Sequence, residues 1–429
     1  MDIYEEHLDE ATFLWGQWER ALVSPGYNFS QTAILEQRLL SHLDGLTVGG
    51  TPVAHELLRP ALASAEPLRV SAALWTMLAD PGSMEPSEAT QLWESTPLEM
   101  LAPLQRAIQL SWSARVGEAV LPLLKTQEAS RQAMVLEILA FRRETPQASA
   151  VELLHHPAPP VITAALRGLQ PLPRAFLQGE LHRLLADVRT DVRTAAIEAG
   201  LVSGSREAWA VCSKEVGVPT AAGRKLLVLQ ALGGNERTVQ RLLESAGKVD
   251  TQANALWALG FSGQRQAADV CLDLMNQKPL AALAGEAFSA ITGLKLEEPY
   301  TISAQEDWES LPPLEEELEH PLEYRPEDDL PIPDRTAVSN WWKEARKEFA
   351  PGVRYLRGRA FTIKGLLEEL DQGPMRRRHV YALELAIRSQ GACMIQTRGF
   401  SWHQRKALAQ AHIAQTRLPA SNFFQLLGE

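Results

Sequence analysis

A period near thirty residues runs through the chain from Arg69 to Leu296, and few single-copy folds can accommodate one. Segments aligned on Arg69, Met100, Arg131, Val161, Val192, Arg224, Thr251 and Leu283 start 31, 31, 30, 31, 32, 27 and 32 residues apart. Four residues after each start stand Ala73, Leu104, Val135, Ala165, Ala196, Val228, Ala255 and Ala287, all apolar and mostly small. The next position is large and apolar (Leu74, Leu136, Leu166, Ile197, Leu229, Leu256, Phe288) except at Gln105. Seven and eight residues in, a mostly small residue precedes a mostly large one, as in Ala107-Ile108, Ala258-Leu259 and Ala290-Ile291. Offsets of four, five, seven and eight lie on one stripe of a helix. Small residues let neighbouring helices approach, and the large ones fill the space between layers. Each segment also carries a second amphipathic stretch, such as 114–124, 175–186, 237–246 and 266–275. A lone helical hairpin cannot bury both faces, so the units must stack. The expected fold class is all-α, an α-solenoid of short helical hairpins with capping helices at both ends.

The spacing and composition select among solenoids. Tetratricopeptide repeats hold near 34 residues with their own Trp/Tyr pattern and ankyrin repeats carry T-P-L-H; neither pattern is present. Asp191-Val192-Arg193-Thr194-Ala195-Ala196 and Ala255-Leu256-Trp257-Ala258-Leu259-Gly260 resemble HEAT repeats of the short type first associated with phycobilisome lyases.

Around the array, 67–296, the chain divides further. Residues 1–66 read as N-terminal capping helices: Tyr4, Leu8, Ala11, Trp15, Trp18 and Leu22 form one stripe that ends at Ser24-Pro25-Gly26, and a second helix is expected from Ser30 to Leu43. Trp15 and Trp18 read as core, against a partner groove. Residues 297–340 hold seven prolines, fourteen acidic and two basic residues, and predict a strap or linker without long helices, with Trp308, Tyr324 and Leu330 as anchors. Residues 341–429 carry fifteen basic and seven acidic residues and predict a basic helical module, with Ser339 capping a helix that holds Trp341 and Trp342 and with another helix over 375–388. Residues 354–361 are too short and irregular to assign. The composition break at Glu297 predicts that 1–296 folds on its own.

Charge and cysteine content narrow the function. Of the net −11, residues 1–296 carry −7, and an acidic array does not suit phosphate wrapping, so nucleic acid is an unlikely partner. Cys212, Cys271 and Cys393 fit neither a disulfide framework nor a zinc spacing, which points to a reducing compartment. No signal-peptide pattern opens the chain and no apolar run reaches membrane-spanning length, so a soluble cytoplasmic protein is expected.

No catalytic, cofactor or metal residues stand out. The pair His55-Glu56 is similar to those with which HEAT-repeat deoxyhypusine hydroxylases hold iron, but such sites draw on several pairs and this chain has one. His155-His156 reads as a helix-end cap. The G-x-x-x-x-G-K-[ST] phosphate loop is absent from the sequence. The strongest charged features are the basic residues Arg354, Arg357, Arg376, Arg377 and Arg378 and the acidic run Glu315, Glu316 and Glu317, which predict mutual docking or contacts to a partner, together with Trp341 and Trp342.

Four phrases carry a wider resemblance: Ala11-Thr12-Phe13-Leu14-Trp15, His42-Leu43-Asp44-Gly45-Leu46, the stretch Gly285 to Gly293, and Trp341-Trp342 followed by Arg354-Tyr355-Leu356-Arg357-Gly358. The chain resembles, over essentially its whole length, a family of proteobacterial HEAT-repeat proteins of unassigned activity often encoded beside type VI secretion components. The resemblance implies a cytoplasmic adaptor or co-chaperone for effector loading, whose partner is a secretion chaperone, an effector or a PAAR-type spike protein, and it supplies no catalytic residues. A non-catalytic protein-binding scaffold is therefore the expected function. An immunity protein binding a toxin, and a HEAT-type DNA glycosylase or lyase, are the alternatives.

Overall fold

The computed structural model describes residues 1–234, 236–302 and 324–427. Helix dominates it. The strands among the described residues are a two-stranded antiparallel hairpin, Tyr355–Leu356 with Arg359–Ala360, and the isolated bridge Thr301 to Pro333. The chain falls into two compact units, one of 1–22, 27–208 and 385–413, the other of 23–26, 209–384 and 414–429. The segments after residue 296 are divided between the two units.

In the first unit, Pro67–Ala79 packs on Leu101–Leu110, that helix on Ala129–Arg142, that one on Pro159–Gly168, and the last on Thr190–Val202. The side chains at these contacts are the periodic columns: Ala73, Leu74, Val135, Leu136, Ala165, Leu166, Ala196 and Ile197 are all fully buried. Gln105, the exception in its column, is half-buried. Asp2–Ala21 packs against Phe29–Val48 and Pro67–Ala79, with Trp15 and Trp18 inside. The second of these helices begins one residue before its expected start because Asn28 and Gln31 form a capping box. The segment 385–413 adds to this core. Phe400 stacks on Trp18 at 5.1 Å between ring centroids and meets the edge of Trp75 at 5.8 Å. Beside it the Ser401 N–H donates to both oxygens of the buried Glu36 carboxylate at 2.8 Å, and its hydroxyl donates to one at 2.7 Å.

In the second unit, Ala221–Gly233, Gln252–Ser262 and Ala281–Thr292 pack in succession, with Glu236–Ala246 and Arg265–Leu274 alongside. Two of these helices end on left-handed glycines, Gly263 at φ 64° and Gly293 at φ 79°. Those glycines admit the hairpin. Tyr355 N–H donates to Gly263 O at 2.7 Å, while the N–H groups of Arg357 and Gly358 donate to Ala290 O and Ile291 O at 2.9 Å, satisfying carbonyls that a helix end leaves open. A Cβ on either glycine would collide with the hairpin backbone. The helix holding Trp341 and Trp342 runs Arg335–Ala345, and its cap is Asp334, whose carboxylate accepts from Thr336 and Ala337 N–H, where Ser339 is expected from sequence. An earlier cap wins because Val338 and Trp342, both buried and four residues apart, already define the inward stripe.

Candidate functional site

The basic cluster lies on the helix Met375–Arg388, and its first three arginines are core residues: Arg376, Arg377 and Arg378 are 5%, 2% and 0% exposed. Arginine is seldom fully buried unless paired. Arg376 Nε donates to both Glu286 oxygens at 3.1 and 3.2 Å, and its Nη2 donates to Glu327 at 2.9 Å. Arg378 Nε donates to Leu370 O at 2.6 Å, and burial lowers its pKa to about 10. The indole of Trp257 collects the guanidinium groups of Arg376, Arg224 and Arg377 at 4.5, 4.8 and 5.0 Å from its centroid, a cation–π arrangement. Glu327, from the acidic segment, also lies 3.5 Å from Arg224. Burial raises the Glu327 pKa, but the hydrogen bond and charge of Arg376 outweigh it and hold the carboxyl below its ordinary range.

The other expected contacts are distributed differently. Arg354 forms a bidentate pair with the fully buried Glu384 at 2.5 and 2.9 Å. Trp342 is buried, meets the edge of Phe288, and donates its indole N–H to Asp269 at 2.8 Å; Trp341 stacks on it and is half-buried. Glu315, Glu316, Glu317 and Trp308 lie outside the described residues. Ala158 N–H donates to His156 Nδ1 at 3.0 Å, so this ring nitrogen meets a backbone N–H two residues on. Cys212 and Cys271 are fully buried; burial pushes both thiols up, Cys271 to about 12, so both are inert thiols at neutral pH. Among the described residues no group of His, Cys, Asp and Glu could hold a metal ion, and no helix is long and apolar enough to cross a membrane.

Two cavities have chemical character. A pocket of about 260 Å³ in the second unit is lined by Arg377 and Tyr381 together with Glu286, Arg357 and Glu369, and by the apolar Leu296 and Leu330. Arg377 rests on the Phe261 ring at 3.8 Å and donates from Nε to Tyr381 Oη at 3.3 Å. Neither of its terminal nitrogens has a hydrogen-bond partner, and neither does Glu369 Oε2. The charges near them stand just beyond hydrogen-bond range: Arg377 Nη1 is 3.7 Å from Glu286, and Arg357 Nη1 is 3.6 Å from Glu369.

A larger groove of about 500 Å³ lies in the first unit. Trp112 and Trp402, each 45% exposed, line it with Phe141, Met394 and Phe400. Arg142 donates to the carbonyls of Ile108, Ser111 and Ser113 and to Glu144, which fixes the loop carrying Trp112. With that pair cancelled, Arg143 and Lys406 leave the groove positively charged. His403, whose pKa burial lowers with help from Lys406 and Arg142, adds no charge at neutral pH. Sequence reading misses this groove because Trp112 and Trp402 are far apart in the chain and sit on no shared period.

No family model matches the chain, and no curated protein matches it. Among solved structures the chain is similar to the crystal structure of an engineered protein, with 14% identity, coverage of 82% of this chain and 95% of that one, and a TM-score of 0.27. A likeness of that size carries nothing about fold or function.

Proposed function

We propose that this protein is a non-catalytic protein-binding scaffold, an α-solenoid of HEAT-like hairpins with capping helices at both ends, which acts in the cytoplasm as an adaptor loading a type VI secretion effector. The observation that carries the binding role is the groove: two tryptophans keep nearly half their surface in solvent beside uncancelled Arg143 and Lys406. Aromatic anchors are enriched where proteins bind one another, and charge complementarity selects the partner. The occupant is an acidic segment bearing an apolar anchor, supplied by an effector, its chaperone or a PAAR-type spike protein. The solenoid reading is supported by the successive packing of repeat-opening helices within each unit. The secretion context rests on the resemblance carried by Ala11 to Trp15, His42 to Leu46, Gly285 to Gly293 and Trp341 to Gly358.

The test uses the native host. The intact protein is expected to copurify stoichiometrically with one of those three partners, and Trp402→Ala combined with Lys406→Glu to lose it. Deleting the gene should retain one cognate effector inside the cell while other effectors are still exported. Normal delivery with new self-sensitivity would mean an immunity protein, and turnover of a substrate by the purified chain would mean an enzyme; either outcome ends the adaptor reading.

A further inference from the structure

We infer that His7 and His42 form a proton-operated latch between the helices Asp2–Ala21 and Phe29–Val48, closed while the pair holds at most one proton and opened by a second. Their Nδ1 atoms stand 3.1 Å apart, and their rings meet edge to face with centroids 5.1 Å apart. A hydrogen bond between two ring nitrogens needs a proton on one and a lone pair on the other. Two neutral rings satisfy that, and so does one cation beside one neutral ring. Two imidazolium rings do not, because both nitrogens are then donors and two positive charges meet at contact distance.

The surroundings leave this switch in place. The two histidines come from separate helices, 35 residues apart in the chain, and both are half-buried. Gly45 admits the His7 ring, since a Cβ there would lie 3.1 Å from its Nε2. The groups facing His42 are His7 and Glu10 from the first helix and Arg38 from its own. Burial, then the charge of His7, holds the His42 pKa below its ordinary 6.5, with Arg38 acting in the same direction and Glu10 against it. Of the other helices packed here, Pro67–Ala79 carries only Arg69, which pairs with Asp9, and Gly50–Val53 carries no titratable side chain. A histidine with a lowered folded-state pKa contributes stability that is fully present above the unfolded value and is lost as pH falls through the folded one, so acid acts against the closed pair. The latch fastens a helix on which the first unit depends: Asp2–Ala21 delivers Trp15 and Trp18 to the core, where Phe400 stacks on Trp18.

The experiment is native-state hydrogen exchange of the full chain at pH 7.5 and 5.5, read by mass spectrometry and corrected for intrinsic exchange, with peptides from 129–168 as the internal reference. Opening that takes up one proton should raise the opening constant of 2–21 and 29–48 by about fivefold to tenfold at the lower pH, relative to that reference. His42→Asn and His7→Asn each leave an amide near the Nδ1 position, which bonds the remaining imidazole whether or not it is charged, so each variant should open alike at the two pH values. Histidine ring NMR of the unmodified chain gives a readout that does not depend on either variant folding: His7 and His42 should titrate in two separate steps. The inference is overturned if the two helices track the reference peptides, if either variant keeps the acid-induced rise, or if the two rings titrate together in one step.

Discussion

The Arg377 pocket and the Trp112–Trp402 groove are both cavities walled by an arginine and a glutamate, but the arginines are in opposite condition. In the groove, Arg142 places its donors on three backbone carbonyls and on Glu144, so its charge is structural and the surface left over is aromatic. In the pocket, the Arg377 guanidinium sits over Phe261 and its enclosed terminal nitrogens have no hydrogen-bond partner. Completeness of hydrogen bonding therefore separates the two arginines, which a count of charges near a cavity does not do. The groove leaves aromatic surface in solvent, while the pocket arginine is enclosed by rings and by carboxylates beyond hydrogen-bond range.

The sharpest break between the two is expected on deleting each glutamate. Glu286→Ala removes the carboxylate that holds Arg376 and faces Arg377 inside the protein, and stripping one partner from a buried ionic cluster costs about 3–5 kcal/mol. Glu144→Ala should cost at most about 1 kcal/mol, because the Glu144 side chain is 37% exposed and Arg142 retains its carbonyls. Urea denaturation of both variants measures the pair. Equal losses would mean that the groove arginine is no better satisfied than the pocket arginine.

The same division explains what the sequence reveals. The columns through Ala73, Val135 and Ala196 are legible because a helical stripe recurs locally, and they are indeed buried. Burial of Arg377 is partly legible: Tyr381 and Leu385 follow at steps of four, an apolar stripe that includes the arginine, yet a run of three arginines invites a surface reading. Its neighbours are not legible, since Glu286 and Glu327 reach Arg376 across 90 and 49 residues. Longer range still hides the seat of 385–413 in the first unit, where Ser401 meets Glu36 across 365 residues. The hairpin at Tyr355 is foreshadowed only by Gly263 and Gly293, whose positive φ marks helix ends but names no partner.

A second test asks whether the pocket charges are open in the way the groove charges are not. Glu369 faces Arg357, Arg377, Arg359 and the hydroxyl of Tyr381, but burial is the dominant influence and holds its carboxyl above the ordinary value of 4.5. A carboxyl with a raised folded-state pKa contributes stability that is fully present below the unfolded value and is lost as pH rises through the folded value. Glu369→Gln does not titrate, so its melting temperature relative to the parent should climb from pH 4.5 towards neutrality. Melting curves across that range check it. A difference that shrinks with rising pH would mean that Arg357 and Arg377 solvate the anion well and that the pocket is already matched.

The smallest effect belongs to the groove rim. Trp402 is 45% exposed and stacks chiefly on its neighbour His403, so Trp402→Ala should change stability by no more than about 0.5 kcal/mol, as for other surface substitutions. Trp112 is equally exposed but meets the edge of buried Trp75 at 4.6 Å, and Trp112→Ala should lose about 0.5–1.5 kcal/mol for that aromatic pair. Phe400 lines the same groove while lying 1% exposed between Trp18 and Trp75, so Phe400→Ala should cost about 3–5 kcal/mol. The graded series distinguishes an aromatic surface resting on a core from a core that happens to be partly open. If Trp402→Ala is as damaging as Phe400→Ala, the rim is part of the core and has no surface to offer a partner; if only Phe400→Ala is severe, the tryptophans are kept at the surface by something other than stability.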